Sequence, residues 1–221
     1  MTVEAGRAWP LFDLRLRTQQ LEMRVPTDDD LEQLAVIARQ GLHDPTLAVF
    51  EFPAWEELPS PEFERQFVQY FWGLRANWSP GNWTLALAAI VNGRPIGVQE
   101  ISAKDFAHRR SVATGSWIGQ QCQGQGYGTE MRGAVLWLAF ECLHALVAES
   151  AYLEGNKASA MVSEKLGYIP NGERMAAPKG EPVRQHLVRV TPASWIRDRV
   201  AVSVENLDPC LDIFGLTARS A

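Results

Sequence analysis

Apolar and polar positions divide the chain into stretches of two periods. Between Leu11 and Pro26 apolar residues alternate in places, at Leu14 and Leu16 and again at Leu21, Met23 and Val25. That spacing predicts one or two extended segments. Thr27 followed by Asp28, Asp29 and Asp30 marks a helix start, an oxygen-bearing cap with carboxylates near the positive helix end. The helix is predicted to run to about Leu42. A loop over Gly41–Pro61 carries His43, Asp44, Phe50, Phe52 and Trp55. A second helix spans roughly Pro61–Trp78, with Phe63, Phe67, Tyr70, Phe71 and Leu74 along one side.

From there the pattern turns to strands. Trp83–Val91 and Pro95–Ile101 flank Asn92-Gly93, the strongest short hairpin signal. A loop with His108, Arg109 and Arg110 leads to a third strand, Ser111–Ile118. A glycine-rich turn precedes a helix from about Gly126 to His144, where Tyr127, Met131, Val135, Leu138 and Cys142 recur with helical period. Leu146–Leu153 reads as a strand, and Asn156 caps a helix that stops near Leu166-Gly167. On that helix Ala158, Met161, Val162 and Leu166 read as the core face. Two strands follow, around Ile169–Arg174 and Pro182–Val190, then a short helix near Ser194–Arg199. The order predicts a mixed α+β fold.

Composition narrows the class. The 221 residues suit one domain with a core that needs no staples. Residues 1–199 are expected to form it, with 200–221 as a C-terminal extension. Lys+Arg of 21 against Asp+Glu of 26 gives a net charge of −5, with no basic block. That balance argues against a protein that binds nucleic acid by neutralising phosphates. Cys122, Cys142 and Cys210 lack metal spacing and are odd in number, as in a reducing compartment. With four His and no two at ligand spacing, no metal site is expected. The longest apolar runs, Leu85–Val91 and Ala134–Phe140, fall far short of the roughly 20 residues that span a bilayer, and the N-terminus shows no basic-then-apolar leader. A cytoplasmic, non-membrane protein is the expectation.

The most informative segment runs from Gly119 to Thr129. Glycines alternate just before a helix, so backbone N–H groups can point at an anion on the helix axis. A P-loop would end in Gly-Lys-Ser/Thr, which is absent. A dinucleotide fingerprint fails because its last glycine, counted from Gly124, falls on Thr129. A plain turn that starts a helix is the simpler alternative. The third reading is the Gln/Arg-x-x-Gly-x-Gly/Ala pyrophosphate loop of acyl-CoA transferases, met by Gln123, Gly126 and Gly128.

A second motif, Asn156-x-x-Ser159 with Lys165-Leu166-Gly167-Tyr168, follows the next strand. Together the two motifs resemble the GNAT superfamily of N-acyltransferases, and within it the RimJ/RimL-type branch. The resemblance is specific over Ser116–Tyr168, looser over Leu14–Ile101 and Gly180–Trp195, and fades over the last twenty or so residues. It implies a GNAT fold, a mixed sheet whose splayed strands form an acyl-CoA cleft. It further implies that Gln123, Gly124, Gln125, Gly126, Tyr127, Gly128 and Thr129 cradle the pyrophosphate. Trp117 and Ile118 would offer backbone to the pantetheine arm, and Asn156 and Ser159 would contact it.

For the chemistry, Asn156, Ser159 and Ser163 lie at i, i+3 and i+7 on one helix face. Many members of the superfamily place a tyrosine where Ser163 stands, and RimL-like members are thought to use the serine at Ser159. Ser159 is therefore the favoured partner of the departing thiolate, with Ser163 or water as fallback. The base is less defined. Glu100, on a strand beside the expected cleft, is the candidate, with Glu173, Glu181, Asp105, His43 and His108 as weaker ones. An α-amine with pKa near 8 is about one-tenth neutral at pH 7, against roughly 0.04% for lysine, a difference of roughly 3 kcal/mol. A site without an obvious base suits an α-amine, as in protein N-terminal acetylation in this branch.

The expected activity is transfer of an acyl group, acetyl first, from acyl-CoA to a primary amine by direct attack in a ternary complex. A succinyl or longer-acyl transferase is the alternative, for which the loop could supply His43, Phe50 and Trp55 to the substrate. A non-catalytic acyl-CoA sensor is the reading from a different class. The tail alternates at Val200, Val202 and Val204 and ends in Leu211, Ile213, Phe214 and Leu216, too apolar to stay uncovered. It is expected to close over its own domain or a partner subunit. The eight tryptophans tilt the expectation to a homodimer or larger assembly.

Overall fold

The computed structural model describes residues 8–42 and 58–216. Two short strands open it, β1 (Arg15–Arg17) and β2 (Glu22–Arg24). Leu16 and Met23 face each other across the pair, both fully buried. Helix α1 (Asp28–Arg39) starts on a capping box: Asp30 N–H donates to the Thr27 hydroxyl, and Thr27 N–H donates to the Asp30 carboxylate. Helix α2 (Glu62–Ala76) buries Phe63, Phe67 and Phe71, one per turn. Strands β3 (Asn82–Val91) and β4 (Arg94–Lys104) form the predicted hairpin, with Asn92 and Gly93 both at positive φ, as its tight turn demands.

Where the sequence suggested a loop around His108, a four-residue helix, α3 (Phe106–Arg109), forms instead; Phe106 is fully buried and anchors it. Strand β5 (Ser111–Ile118) has the predicted bounds. The long helix α4 (Tyr127–Trp137) is shorter than expected because its last turn, Leu138–Cys142, widens to a π-helix. Then come β6 (Val147–Leu153), α5 (Lys157–Lys165), β7 (Ile169–Ala176) and β8 (Val183–Val190). The Ser194–Arg199 helix is only a short 3-10 turn over Arg197–Arg199, and β9 (Ser203–Glu205) covers part of the alternating valine segment.

The strands make one sheet in the order β7-β8-β6-β5-β4-β3-β2-β1-β9. Neighbours are antiparallel except β5 and β6, which run parallel because α4 carries the chain back between them. Both faces of β3 are covered, and its near-continuous apolar run follows from that. Leu85, Leu87 and Ala89 join a core with Met131, Val135 and Leu138 of α4; Ala86, Ala88 and Ile90 join a second core with Leu31, Leu34, Phe67 and Phe71 of α1 and α2. The tail returns to the first core. Strand β9 pairs with β1, and Phe214 is fully buried against Trp78 and Trp83, with ring centroids 5.6 and 4.9 Å away. The described part of the tail thus packs on its own domain.

One helix face departs from expectation. On α5, Met161 is 52% exposed and Ala158 is exposed, whereas Ser163 is buried together with Leu166. The serine occupies a core position because a buried arginine on α4 satisfies its hydroxyl.

Candidate functional site

The sheet opens at one place. Strand β5 pairs with β4 from Ile118 to Ala113, but with β6 only over Ser111, Val112 and Ala113. Beyond Ala113 the parallel strands part. The fork is pinned at its vertex by side chains: Ser150 donates to the Thr114 carbonyl (3.0 Å), and the Thr114 hydroxyl donates to the Glu149 carbonyl (3.3 Å). Past the vertex, β5 turns its β6-side edge to the opening. Gly97 holds the other edge close to β4, because a Cβ there would lie 2.3 Å from the Trp117 carbonyl oxygen.

At the open end of β5 the glycine turn leads into α4. Gly126 is the N-cap of that helix, in the left-handed region at φ 92°, and a Cβ built on it would meet nothing within 4 Å. Its carbonyl accepts from Thr129 and Glu130. The amides of Gly124, Gln125, Gly126, Tyr127 and Gly128 donate to no carbonyl among the described residues. Five donors without a carbonyl partner at a helix N-terminus are the chemistry that suits an anion. The Gln123 side chain does not join them; its amide donates to the carbonyls of Leu42 (2.6 Å) and Ile118 (2.9 Å) and ties the turn to the end of α1.

Alternation along β5 sorts the other residues between the two faces. Trp117 faces α1 and α2, edge-on to Phe67 with centroids 6.1 Å apart. Ile118 faces α4, next to Gly128. Glu100 of β4 sits opposite Gly115, at the level where the fork begins, on the Trp117 face. No side chain covers it from β5, and a Cβ on Gly115 would again meet nothing within 4 Å. Tyr70 of α2 donates its hydroxyl to the Glu100 carboxylate at 2.9 Å. Burial raises the Glu100 carboxyl above its ordinary range, and the Tyr70 hydroxyl, by bonding the charged form, offsets part of that rise.

On the opposite face, α5 begins beside the fork. Asn156 caps it, its side-chain oxygen accepting from Ser159 N–H at 3.1 Å. The half-buried Ser159 hydroxyl makes no hydrogen bond among the described residues. Ser163 is committed: its hydroxyl donates to the Ser159 carbonyl (3.0 Å) and accepts from Arg132 Nη1 (2.9 Å). The glycine turn thus follows the β5 arm of the fork, and Asn156 and Ser159 follow the β6 arm on the helix that packs against α4, with Glu100 on the other face of the sheet.

The weaker base candidates sit elsewhere. Asp105 and His108 pair with each other at 2.6 Å beyond the end of β4, near where β5 starts and the fork is closed. Glu173 is held by Arg184 and His186. Glu181 is exposed on the β7–β8 connection. His43, Phe50 and Trp55 lie outside the described residues. Among those described, no group of three His, Cys, Asp or Glu could hold a metal ion, and no helix is long and apolar enough to cross a membrane.

Two participants escaped the sequence reading. Tyr70 was assigned only to a core face, since nothing local shows that its hydroxyl meets a carboxylate thirty residues on. Arg132 left a legible trace, a lone charge in the apolar run Met131–Phe140, four residues after Gly128 on the same helix face.

A family model described as an acetyltransferase (GNAT) domain matches residues 20–169. Solved structures share the architecture. One of RimJ from Mycobacterium smegmatis, in complex with CoA-disulfide, aligns at TM-score 0.67 with 19% identity, over 83% of this chain and 90% of that one. A ribosomal-protein-S5-alanine acetyltransferase from Vibrio fischeri aligns at 0.62 with 17% identity, over 82% and 98%. A GNAT-family acetyltransferase from Bacillus anthracis aligns at 0.63 with 16% identity, over 80% and 98%.

Proposed function

The chain belongs to the GNAT acetyltransferase family and is an acyl-CoA-dependent N-acyltransferase, and from that premise we propose that it acetylates a primary α-amine, such as a protein N-terminus, by direct attack in a ternary complex. The observation that carries this reading is the fork: β5 leaves β6 after Ala113 and leads to five amides that meet no carbonyl among the described residues. Those amides suit a pyrophosphate, and the freed edge of β5 at Trp117 and Ile118 suits the pantetheine amides. On this reading the Ser159 hydroxyl donates to the sulfur, and Glu100, on the other face of the sheet, accepts the amine proton.

The choice of an α-amine follows from proton energetics. Deprotonating lysine at pH 7 costs roughly 3 kcal/mol more than deprotonating an α-amine. A carboxyl raised by burial is a stronger base than an ordinary one, and the acceptor that releases its proton more easily asks less of it. The neighbour described as a ribosomal-protein-S5-alanine acetyltransferase supports a protein as the acceptor.

The test is CoA release from acetyl-CoA and from succinyl-CoA over three acceptors: peptides with free N-termini and blocked lysines, the converse set, and small amines. Turnover with acetyl-CoA and the first set is expected. Release confined to lysine side chains, or to succinyl-CoA, overturns the reading.

A further inference from the structure

Arg132 is charged, 3% exposed and bound to no carboxylate among the described residues. Its contacts are all neutral. Nη1 donates to Ser163 (2.9 Å), Nη2 reaches Ser116 (3.5 Å), and the guanidinium lies 5.9 Å from the Tyr168 ring centroid. Among the described residues its Nε is buried with no partner, as is the side-chain oxygen of Gln99, which stands beside Ser116 across the β4–β5 pair. The acids on its own helix are engaged elsewhere, Glu130 with Thr18 and Gln20, Glu141 with Arg197. On α5 the charged residues Lys157, Glu164 and Lys165 are exposed, so the groups facing the guanidinium are Ser163, Ser116 and Tyr168.

Burying a cation without a counter-charge costs several kcal/mol, and a protein that does so loses stability unless a negative charge arrives. The place of this cation says which charge that is. Ser116 belongs to the stretch of β5 freed from β6, and Ser163 lies one turn along α5 from Ser159. In the proposed reaction the bond between the acyl carbon and sulfur breaks there, the electron pair stays on sulfur, and the amine nitrogen takes the acyl group. A carboxylate on the acyl chain cannot reach a guanidinium this enclosed, whereas a charge on sulfur can be felt across one hydroxyl.

We propose that Arg132 is a positioning residue for thiolate departure: it holds the Ser163 hydroxyl and supplies the positive charge that stabilises the CoA thiolate as it forms. This rests on the acyltransferase reading above, and deepens it. Arg132 does in electrostatics what a proton donor on α5 would do by transfer, and the thiolate takes its proton later, from Ser159 or water.

The test reads the thiol of bound CoA. Affinities of the full-length protein for CoA and for desulfo-CoA, which lacks the sulfur, are compared by calorimetry as pH is raised across the thiol range, alongside thiolate absorbance. In the wild type the preference for CoA is expected to rise at least about tenfold, the equivalent of one unit of lowered thiol pKa. Arg132→Lys keeps part of that rise, and Arg132→Met loses it while still binding desulfo-CoA. A wild-type protein that binds both ligands with no pH-dependent preference overturns the proposal and leaves the acyltransferase reading intact. A folded Arg132→Met that keeps the preference overturns it too. Failure to bind either ligand overturns the cleft itself and the proposal with it. Should Arg132→Met not fold, the wild type and Arg132→Lys still decide.

Discussion

Gly126→Val separates the cradle from the fold that carries it. The residue sits at φ 92° with open space where a side chain would start, so valine meets no clash but is placed in a backbone region it avoids. Holding that conformation costs about 1–2 kcal/mol. At about 2–4 °C per kcal/mol for a chain of this size, the melting temperature falls by roughly 2–8 °C and the protein stays folded. If valine instead relaxes to negative φ, the flanking peptide planes rotate and at least one outward amide turns away. A hydrogen bond to a charged group is worth about 1.5–3 kcal/mol, so CoA affinity falls roughly 10- to 100-fold. Gly93→Val is the matched control, since Gly93 also lies at positive φ in open space but in the β3–β4 turn. The assay is calorimetry with CoA beside a thermal melt for both variants. Equal loss of affinity in both, or a folded Gly126→Val that binds CoA as before, refutes the reasoning.

Ser159→Ala is expected to lower kcat by ~10²-fold or more with CoA affinity nearly unchanged, because on the proposed reading its hydroxyl, which makes no hydrogen bond among the described residues, donates to the sulfur; unchanged kcat removes that role. Ser163→Ala strands the Arg132 donor and should cost about 1–3 kcal/mol of stability, read in a thermal melt. Tyr70→Phe removes the bond that favours ionised Glu100, so the acidic limb of kcat/KM should move to higher pH; movement the other way excludes Glu100 as the base. The same group links stability to pH. Its folded pKa is raised, so its contribution is present below the unfolded value and fades as pH rises through the folded one; Glu100→Gln should flatten that decline in melts across the window. Phe214→Ala should cost about 3–5 kcal/mol, a fall of roughly 6–20 °C, and an unchanged melt would mean the tail does not seal the core.

The glycine turn, the strand before it and the capped helix after the next strand were legible because each is fixed locally, by positive-φ glycines, by alternation and by an Asn side chain. The fork was visible only through family resemblance. Nothing in Thr114 or Ser150 announces that hydrogen bonding between β5 and β6 stops there, since strand pairing is a property of two distant segments. The face of α5 was misread for a related reason. Periodicity assigns apolar residues to the core, but Ser163 is buried by a polar partner from another helix while Met161 is left outside. The tail alternated as a strand should, yet only its pairing with β1 and the Trp78, Trp83 and Phe214 cluster show that it closes on its own domain.

The two faces of the sheet also divide the charges of the proposed reaction. Attack by a neutral amine on a thioester creates a positive nitrogen and a negative sulfur, a separation that a low-dielectric site resists unless opposite charges are already in place. Strand alternation places Glu100 on the face of α1 and α2, and Ser116, bonded to Arg132, on the face of α4 and α5. In the proposed reaction the carboxylate meets the nitrogen as it becomes positive, and the guanidinium the sulfur as it becomes negative. Both are carried by regular elements and, among the described residues, neither has an opposite charge beside it, Glu100 holding a tyrosine and Arg132 two serines. Pairing either with a counter-ion within the protein would steady the fold, but would cancel the field at the fork. On this view the buried, uncompensated charges are a stability cost retained for the transition state, and removing them in the variants above should raise stability on the carboxylate side as it lowers the rate.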